Sequence, residues 1–278
     1  MDIQRKQRGR PRSKFTDTGG TTMQSLDRAL GVLTTLSRYR QTALTDLAHG
    51  LGIPVATTHR ILATLQKKGF VTFDEAEQTW SIGIEAFRTG SAFLRRNNLF
   101  DVSLPILRNL MEATGETANL AVHDGFEVVF IGQVETNQPI RAFFNPGVRT
   151  SMHASGVGKA ILATWDQAKL SRQVDTHGLA SFTNATITAP AALDGALEKI
   201  RRVGWSFDAE ERYVGMSCVG AAIYDARSEA IAGISVSGPS TRLSPDAAAL
   251  FGQSVLDAAN RITAHIGGVR PAIQDNAG

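Results

Sequence analysis

Residues Leu44 to Gly69 hold two short helical patterns joined by a Gly52-Ile53-Pro54 turn. In the first, Leu44, Leu47, Ala48 and Leu51 fall at helical spacing; in the second, Thr58, Ile61, Leu62 and Leu65 follow the i, i+3, i+4, i+7 rule. That stripe leaves Ala56, Thr57, His59, Arg60, Thr64 and Lys67 off the buried side, so hydrogen-bonding and cationic groups come early in the second helix. A helix-turn-helix requires this of its recognition helix, whose N-terminal residues point at base edges in the major groove of DNA. Two core helices with a polar outer face satisfy the same spacing, and the flanking sequence decides between them. Gly69 stands where a C′ glycine ends a helix. Phe70–Phe73 and Thr79–Ile82 alternate around an acidic turn at 74–78 and read as a hairpin. A leading helix starts at Ser25, a good N-cap, with Leu26, Ala29, Leu30, Leu33 and Leu36 on one face. Helix, helix, turn, helix, hairpin is the order of a winged helix-turn-helix, expected over residues 22–83.

The net charge of +3 hides an uneven distribution. Residues 1–14 carry six Lys/Arg against one Asp, residues 15–72 six against three, and residues 73–278 seventeen Lys/Arg against 22 Asp/Glu. A basic front and an acidic back suit a front that meets phosphate and a back that does not. Within the arm over residues 1–21, Arg8-Gly9-Arg10-Pro11-Arg12 has the core of an AT-hook. Pro11 holds such a peptide extended, and Arg8, Arg10 and Arg12 would be drawn to the potential of a narrow A·T minor groove. A basic tail with only non-specific phosphate affinity accounts for the same five residues. The 278 residues suggest two domains, and an apolar share of 42% is enough to build their cores. One cysteine excludes a disulfide framework and fits a reducing cytoplasm. No apolar run approaches 18 residues and the charged N-terminus is not a signal peptide, so no membrane association is expected.

Ile84, Phe87, Ser91 and Leu94 are spaced 3, 4 and 3, a short seam on a helix expected over residues 84–99. A partner copy is a candidate to cover it, since helix-turn-helix proteins read two half-sites as dimers; the chain's own domains are the other candidate. From Asp101 the pattern predicts helices at 101–114, 156–164, 191–202 and 245–266. It predicts strands at 117–123, 127–135, 139–144, 205–212, 217–225 and 231–237. Hairpins at 123–126 and 225–228 join strands directly, which argues an α+β domain over residues 100–270, with a mainly antiparallel sheet flanked by helices. Residues 271–278 form a tail.

The segment His153 to Ala160 resembles a phosphate loop only superficially: His153 replaces its first glycine and Ala160 its hydroxyl residue. What remains is Ser155 as an N-cap before two glycines, which leaves the N–H groups of Gly156 and Val157 for a small anion or for plain tight packing. Ser235 and Ser237 alternate along one strand and share a face, as do Met216, Cys218 and Gly220 on the preceding one, and Asp208 follows Trp205 in a third. These side chains can line one small polar pocket, or be surface serines and a structural cysteine. Cys218, His153 and Asp208 are formally a nucleophile, base and orienter, yet no activating motif accompanies Cys218, and the histidines lack metal-ligand spacing. No enzymatic activity, metal or cofactor is expected.

Together these motifs resemble the IclR family of bacterial transcription regulators, from about Met23 to Gly268. The resemblance rests on Leu47-Ala48, Leu51-Gly52-Ile53-Pro54, His59-Arg60-Ile61-Leu62 and Gly69-Phe70-Val71, then on Met152 to Ala160. It continues through Asp208 with Glu210-Glu211, Gly215-Met216, Cys218 to Ala221, and Ile234 to Pro239. It implies a winged helix-turn-helix, a linker helix and a GAF-like α+β effector domain, with dimers and pairs of dimers on palindromic double-stranded operators. In members sensing glyoxylate or pyruvate, the ligand carboxylate is held by backbone N–H groups at the positions of Gly156 and Val157. The aspartate, cysteine and two serines of those members fall on Asp208, Cys218, Ser235 and Ser237. The resemblance thus implies a small 2-oxoacid effector, glyoxylate first, with pyruvate or glycolate, or ligand-independent DNA binding, as alternatives. The chain also looks like regulators of glyoxylate assimilation through β-hydroxyaspartate. A carboxylate at position 208 facing an anionic ligand is repulsive unless it is protonated or meets a donor, and hydrated glyoxylate supplies two hydroxyls.

Overall fold

The structure is a computed structural model that describes residues 23–94 and 98–271. The Arg8, Arg10 and Arg12 arm and the end of the tail lie outside the described residues. The chain divides into two compact units between Ala92 and Phe93.

The first unit runs α1 (Gln24–Leu36), β1 (Thr42–Ala43), α2 (Leu44–Leu51), α3 (Val55–Lys67), β2 (Val71–Asp74), β3 (Thr79–Ile82) and all but the last two residues of α4 (Ile84–Leu94). Gly52 ends α2 in the left-handed region at φ +63°, where a Cβ is strained, and lets Ile53 and Pro54 swing the chain into α3. The three strands order as β1-β3-β2, and both pairings are antiparallel. The core gathers Val32, Leu36, Leu47, Leu62, Val71 and Trp80. The stripe expected on α3 is inside: Thr58 and Leu62 are buried, with Ile61 and Leu65 packed against them. Two expectations for α1 fail. Its N-cap is Met23 rather than Ser25, and no side chain caps it. Leu26 and Leu30 stay more than half exposed, because only Val32, Leu33 and Leu36 reach the core at the C-terminal half.

The second unit runs α5 (Leu99–Thr114), β4 (Thr117–Asp124), β5 (Glu127–Val134) and β6 (Arg149–Ser151). A 3-10 turn (Met152–Ala154) leads into α6 (Gly156–Leu162), α7 (Gln167–His177) and α8 (Pro190–Val203). β7 (Ser206–Ala209), β8 (Met216–Tyr224), β9 (Ala230–Pro239) and α9 (Pro245–His265) complete it. The strands form one six-stranded sheet in the order β6-β5-β4-β9-β8-β7, and every neighbouring pair is antiparallel. Alternation divides the core. Val219, Ala221, Ile223, Ile234 and Val236 face α5 and α9, while Ala121, Val128, Phe130 and Ala222 face α6 and α8.

The strand expected at 139–144 does not form; the sixth strand is the shorter β6. Pro139 offers no N–H to a ladder, and Asn145-Pro146-Gly147 turns with Gly147 at φ +89°. The expected 205–212 strand stops at Ala209. Helix α7 was not anticipated: it buries only Leu170, so its apolar period is nearly silent, and it is started by Asp166, whose side chain accepts from Lys169 N–H at 2.7 Å.

Candidate functional site

Two places carry chemistry, one in each unit. In the first unit, α3 begins at Val55 after Pro54, and its first two turns turn Ala56, His59 and Arg60 outward, with Thr57 half-buried. The His59 ring stands edge-on to Trp80, centroids 6.5 Å apart, which fixes the imidazole from the strand behind it. Thr64, Lys67 and Lys68 extend the polar face toward the helix end. Ala56, His59, Arg60, Thr64 and Lys67 are exposed as the spacing expects, while Thr57 is half-buried; His59, Arg60, Thr64 and Lys67 present donors that suit phosphate oxygens and base edges.

In the second unit, the face of the sheet under α6 carries polar side chains in two rows set by strand register. Asp208 lies opposite Cys218, Cys218 opposite Ser237, and Ser237 opposite Thr117. One step along, Ser206 lies opposite Gly220, Gly220 opposite Ser235, and Ser235 opposite Asn119. Directly opposed side chains are close enough to touch. Ser235, Ser237 and Asn119 are almost wholly buried.

The start of α6 lies flat on this face because two glycines allow it. A Cβ on Gly156 would stand 2.8 Å from Cys218 Sγ, and one on Gly220 2.5 Å from Val157 N. Ser155 caps the helix through the Gly158 N–H at 3.3 Å, as expected, and Ser206 Oγ donates to Gly156 O. The Cys218 thiol consequently lies against Val157 N–H and the hydroxyls of Ser237 and Ser235. Burial, and then the neighbouring Asp208, push that thiol up to about 11, so it is a protonated thiol at neutral pH and not a nucleophile.

Asp208 is buried at the end of β7, with Glu211 N–H donating to its Oδ1 at 2.8 Å. Burial raises its carboxyl to about 7; Lys159 opposes the rise and Glu211 adds to it. Lys159 is itself buried in an ion pair with Glu211, and donates to Phe207 O at 2.7 Å. Thr186 donates to Glu211 O at 2.6 Å and Thr183 to Glu210 O at 2.7 Å, so the β7–β8 connection is pinned beside Asp208. His153 is engaged elsewhere: its Nε2 meets Ala180 O at 2.9 Å and its ring stacks on Phe126.

Some of these groups border a cavity of about 30 Å³. Ser155, Asp208, Cys218 and Ser237 line it, with Phe130, Phe144 and Met216 as apolar wall and Arg212 and Tyr213 from the β7–β8 connection. Of the six ligand positions expected from sequence, Asp208, Cys218 and Ser237 meet the cavity directly. Gly156, Val157 and Ser235 lie one layer behind, against the Cys218 thiol. The Ser235 hydroxyl is buried with no hydrogen-bond partner beyond the Cys218 thiol it lies against. Sequence reasoning missed Asn119, which donates to Ser237 Oγ at 3.2 Å and accepts from Gln133 Nε2 at 2.8 Å, and it missed Arg212. Asn119 had a readable signal, a lone amide in the apolar run Thr117–Val122.

Comparison with known proteins joins the two units. A family profile described as the IclR helix-turn-helix domain matches residues 25–75, and one described as the bacterial transcriptional regulator IclR C-terminal matches residues 91–264. The HTH-type transcriptional regulator BhcR of Paracoccus denitrificans is 44% identical over 268 residues, 95% of this chain and 95% of its own. The transcriptional repressor IclR of Escherichia coli is 40% identical over 266 residues, 95% of this chain and 97% of its own. The acetate operon repressor of Salmonella typhimurium is 39% identical over 266 residues, again 95% of this chain and 97% of its own. Among solved structures, Thermotoga maritima IclR superposes with a TM-score of 0.74 at 30% identity, over 88% of this chain and 100% of that one. An IclR homolog from Microbacterium hydrocarbonoxydans, complexed with 4-hydroxybenzoate, shares the fold with a TM-score of 0.78 at 20% identity, over 87% of this chain and 98% of that one.

Proposed function

The chain belongs to the IclR family and is a DNA-binding transcriptional regulator, and from that premise we propose that a small 2-oxoacid, glyoxylate first, is the effector that tunes its operator binding. The observation that carries this reading is the Asp208–Cys218–Ser237 row around a cavity of about 30 Å³. At about 10–15 Å³ per water, that is room for two or three water-sized groups before side chains shift. A two-carbon acid asks for less rearrangement of this lining than an aromatic acid such as the 4-hydroxybenzoate of the Microbacterium protein. The buried Asp208 carboxyl, raised to about 7, can stand neutral beside an anion and donate to it, or accept from the hydroxyls of hydrated glyoxylate. Ser237 supplies a hydroxyl, with Ser235 behind it, and the N–H groups of Gly156 and Val157 become available to a carboxylate if the Cys218 thiol rotates aside. The name of the Salmonella relative, an acetate operon repressor, is in keeping with control of two-carbon metabolism.

On the DNA side, Ala56, Thr57, His59 and Arg60 read a half-site, and the arm with Arg8, Arg10 and Arg12 adds contacts in an adjacent minor groove. Two copies pair through α4, whose Ile84 and Phe87 are 66% and 68% exposed, and the effector units pair dimers into tetramers on a palindromic operator in the bacterial cytoplasm.

Calorimetry with glyoxylate, pyruvate, glycolate and 4-hydroxybenzoate tests the effector reading. Glyoxylate should bind with micromolar or weaker affinity, since so few atoms bind at a ceiling of about −1.5 kcal/mol each. Absence of heat with the three small acids, or tighter binding of the aromatic acid, would contradict it.

A further inference from the structure

The β7–β8 connection places one arginine at the cavity, and neither the family resemblance nor the strand rows account for it. Arg212 lines the cavity beside Asp208. Its guanidinium carbon sits 3.8 Å over the Phe182 ring and 5.3 Å from the Tyr213 ring, which fixes the plane of the group. Its Nε is buried with no hydrogen-bond partner. Among the described residues no carboxylate pairs with it. The two acidic side chains next to it in sequence are occupied: Glu211 by Lys159, and Glu210 by the Gly215 N–H and the Ser240 hydroxyl. A planar fork of donors that is stacked, partly desolvated and unpaired is suited to a carboxylate, and leaving it unpaired has a cost that an anion would remove.

We propose that Arg212 is a specificity-determining residue of the effector site: it supplies the positive charge that selects small carboxylates over uncharged carbonyl compounds of the same size. This rests on the effector reading above and assigns it a residue. A carboxylate has lone pairs enough for both the guanidinium and the α6 N–H groups. Lys159, the other cation near Asp208, is neutralised by Glu211 and does not border the cavity. A purely structural Arg212, a stacked clamp holding the connection, would matter equally to charged and uncharged ligands.

The test is calorimetry of the full chain with glyoxylate and with glycolaldehyde, its uncharged counterpart, on wild type, Arg212→Gln, Arg212→Lys and Ser237→Ala. Thermal melts check that each variant is folded. Arg212→Gln should weaken glyoxylate binding by about 10- to 100-fold, the range for a charge-assisted hydrogen bond, and leave glycolaldehyde unchanged. Arg212→Lys should recover part of the loss, because it keeps the charge without the fork. Loss of acid and aldehyde alike in Arg212→Gln, or unchanged glyoxylate binding there, overturns the proposal. If glyoxylate binding then still fails in Ser237→Ala, the cavity reading survives while the Arg212 assignment falls. If no variant, Ser237→Ala included, differs from wild type, the cavity itself is the wrong site and both fall.

Discussion

The exposed face of α3 and the cavity of the second unit, proposed above to meet DNA and effector, solve opposite problems. On α3 the residues proposed to contact DNA, Ala56, His59 and Arg60, are exposed, lie within five consecutive positions, and sit on a helix whose other face is anchored by Thr58 and Leu62. Water solvates them in the free protein, so their presence costs the fold almost nothing. Around the cavity, Asp208, Cys218 and Ser237 come from three strands, and Asp208 and Ser237 are buried. The cost is plainest at Asp208, whose carboxyl burial raises to about 7, so that its ionised form is disfavoured in the fold. The difference predicts that substitutions on α3 change binding without stability, whereas substitutions around the cavity change both.

The largest effect should come from the ion pair behind the cavity. Lys159→Met leaves Glu211 buried without its partner and should destabilise the effector unit by about 3–5 kcal/mol, read as a loss of melting temperature. A variant that melts with wild type would show that Glu211 is not held by that contact. Next is Arg60→Ala, expected to weaken operator binding by about 1–3 kcal/mol if it contacts a base, with the melting temperature unmoved. Unchanged affinity in a gel-shift titration would remove Arg60 from the reading face, and a fallen melting temperature would erase the contrast between the two regions.

Asp208→Asn should have an effect of opposite sign, smaller than that of Lys159→Met. Burial raises the wild-type carboxyl above its usual value, to about 7, so the folded state keeps a proton that the unfolded chain releases near pH 4. That contribution favours folding fully below pH 4 and is lost as pH rises through about 7. Asparagine can keep the bond from Glu211 N–H without titrating. The variant should therefore gain about 2–3 kcal/mol on wild type between pH 5 and pH 8; parallel melting curves for the two proteins across that window would refute the buried, titrating carboxyl. The same linkage makes anion binding take up a proton, so glyoxylate affinity should fall as pH rises past 7. Smallest is deletion of residues 1–14, which should flatten the salt dependence of DNA binding and weaken it more on A·T-rich flanks. An equal loss on G·C-rich flanks would assign the arm to phosphate alone.

How much of this was legible follows from the same contrast. The helix-turn-helix is written in contiguous residues at one period, with Gly52 and Gly69 marking its ends. The residue types of the cavity were also legible, because Ser235 and Ser237 alternate with apolar neighbours, but period 2 does not say which partner faces them across the strands. Only register puts Cys218 between Asp208 and Ser237 and sets Ser235 behind the thiol. Arg212 was illegible for a plainer reason: in the run Glu210-Glu211-Arg212 it looks like a solvated charge, and only the fold sets it over the ring of Phe182, thirty positions earlier, and among the residues that line the cavity. The strand expected at 139–144 failed where Ile140, Ala142 and Phe144 imitate a β period between two prolines. Of these, Ala142 is buried, Phe144 is half-buried and Ile140 is exposed.

The central claim is that occupancy of the cavity changes DNA affinity, which requires the effector to bind the DNA-competent and DNA-free states unequally. Fluorescence anisotropy of labelled operator DNA, titrated with protein at fixed glyoxylate concentrations, measures this for wild type and Asp208→Ala side by side. The account predicts that glyoxylate shifts the wild-type binding curve, that Asp208→Ala binds DNA with nearly wild-type affinity in the absence of ligand, and that its curve does not move with glyoxylate. An Asp208→Ala curve that shifts at the same glyoxylate concentration as wild type would contradict it.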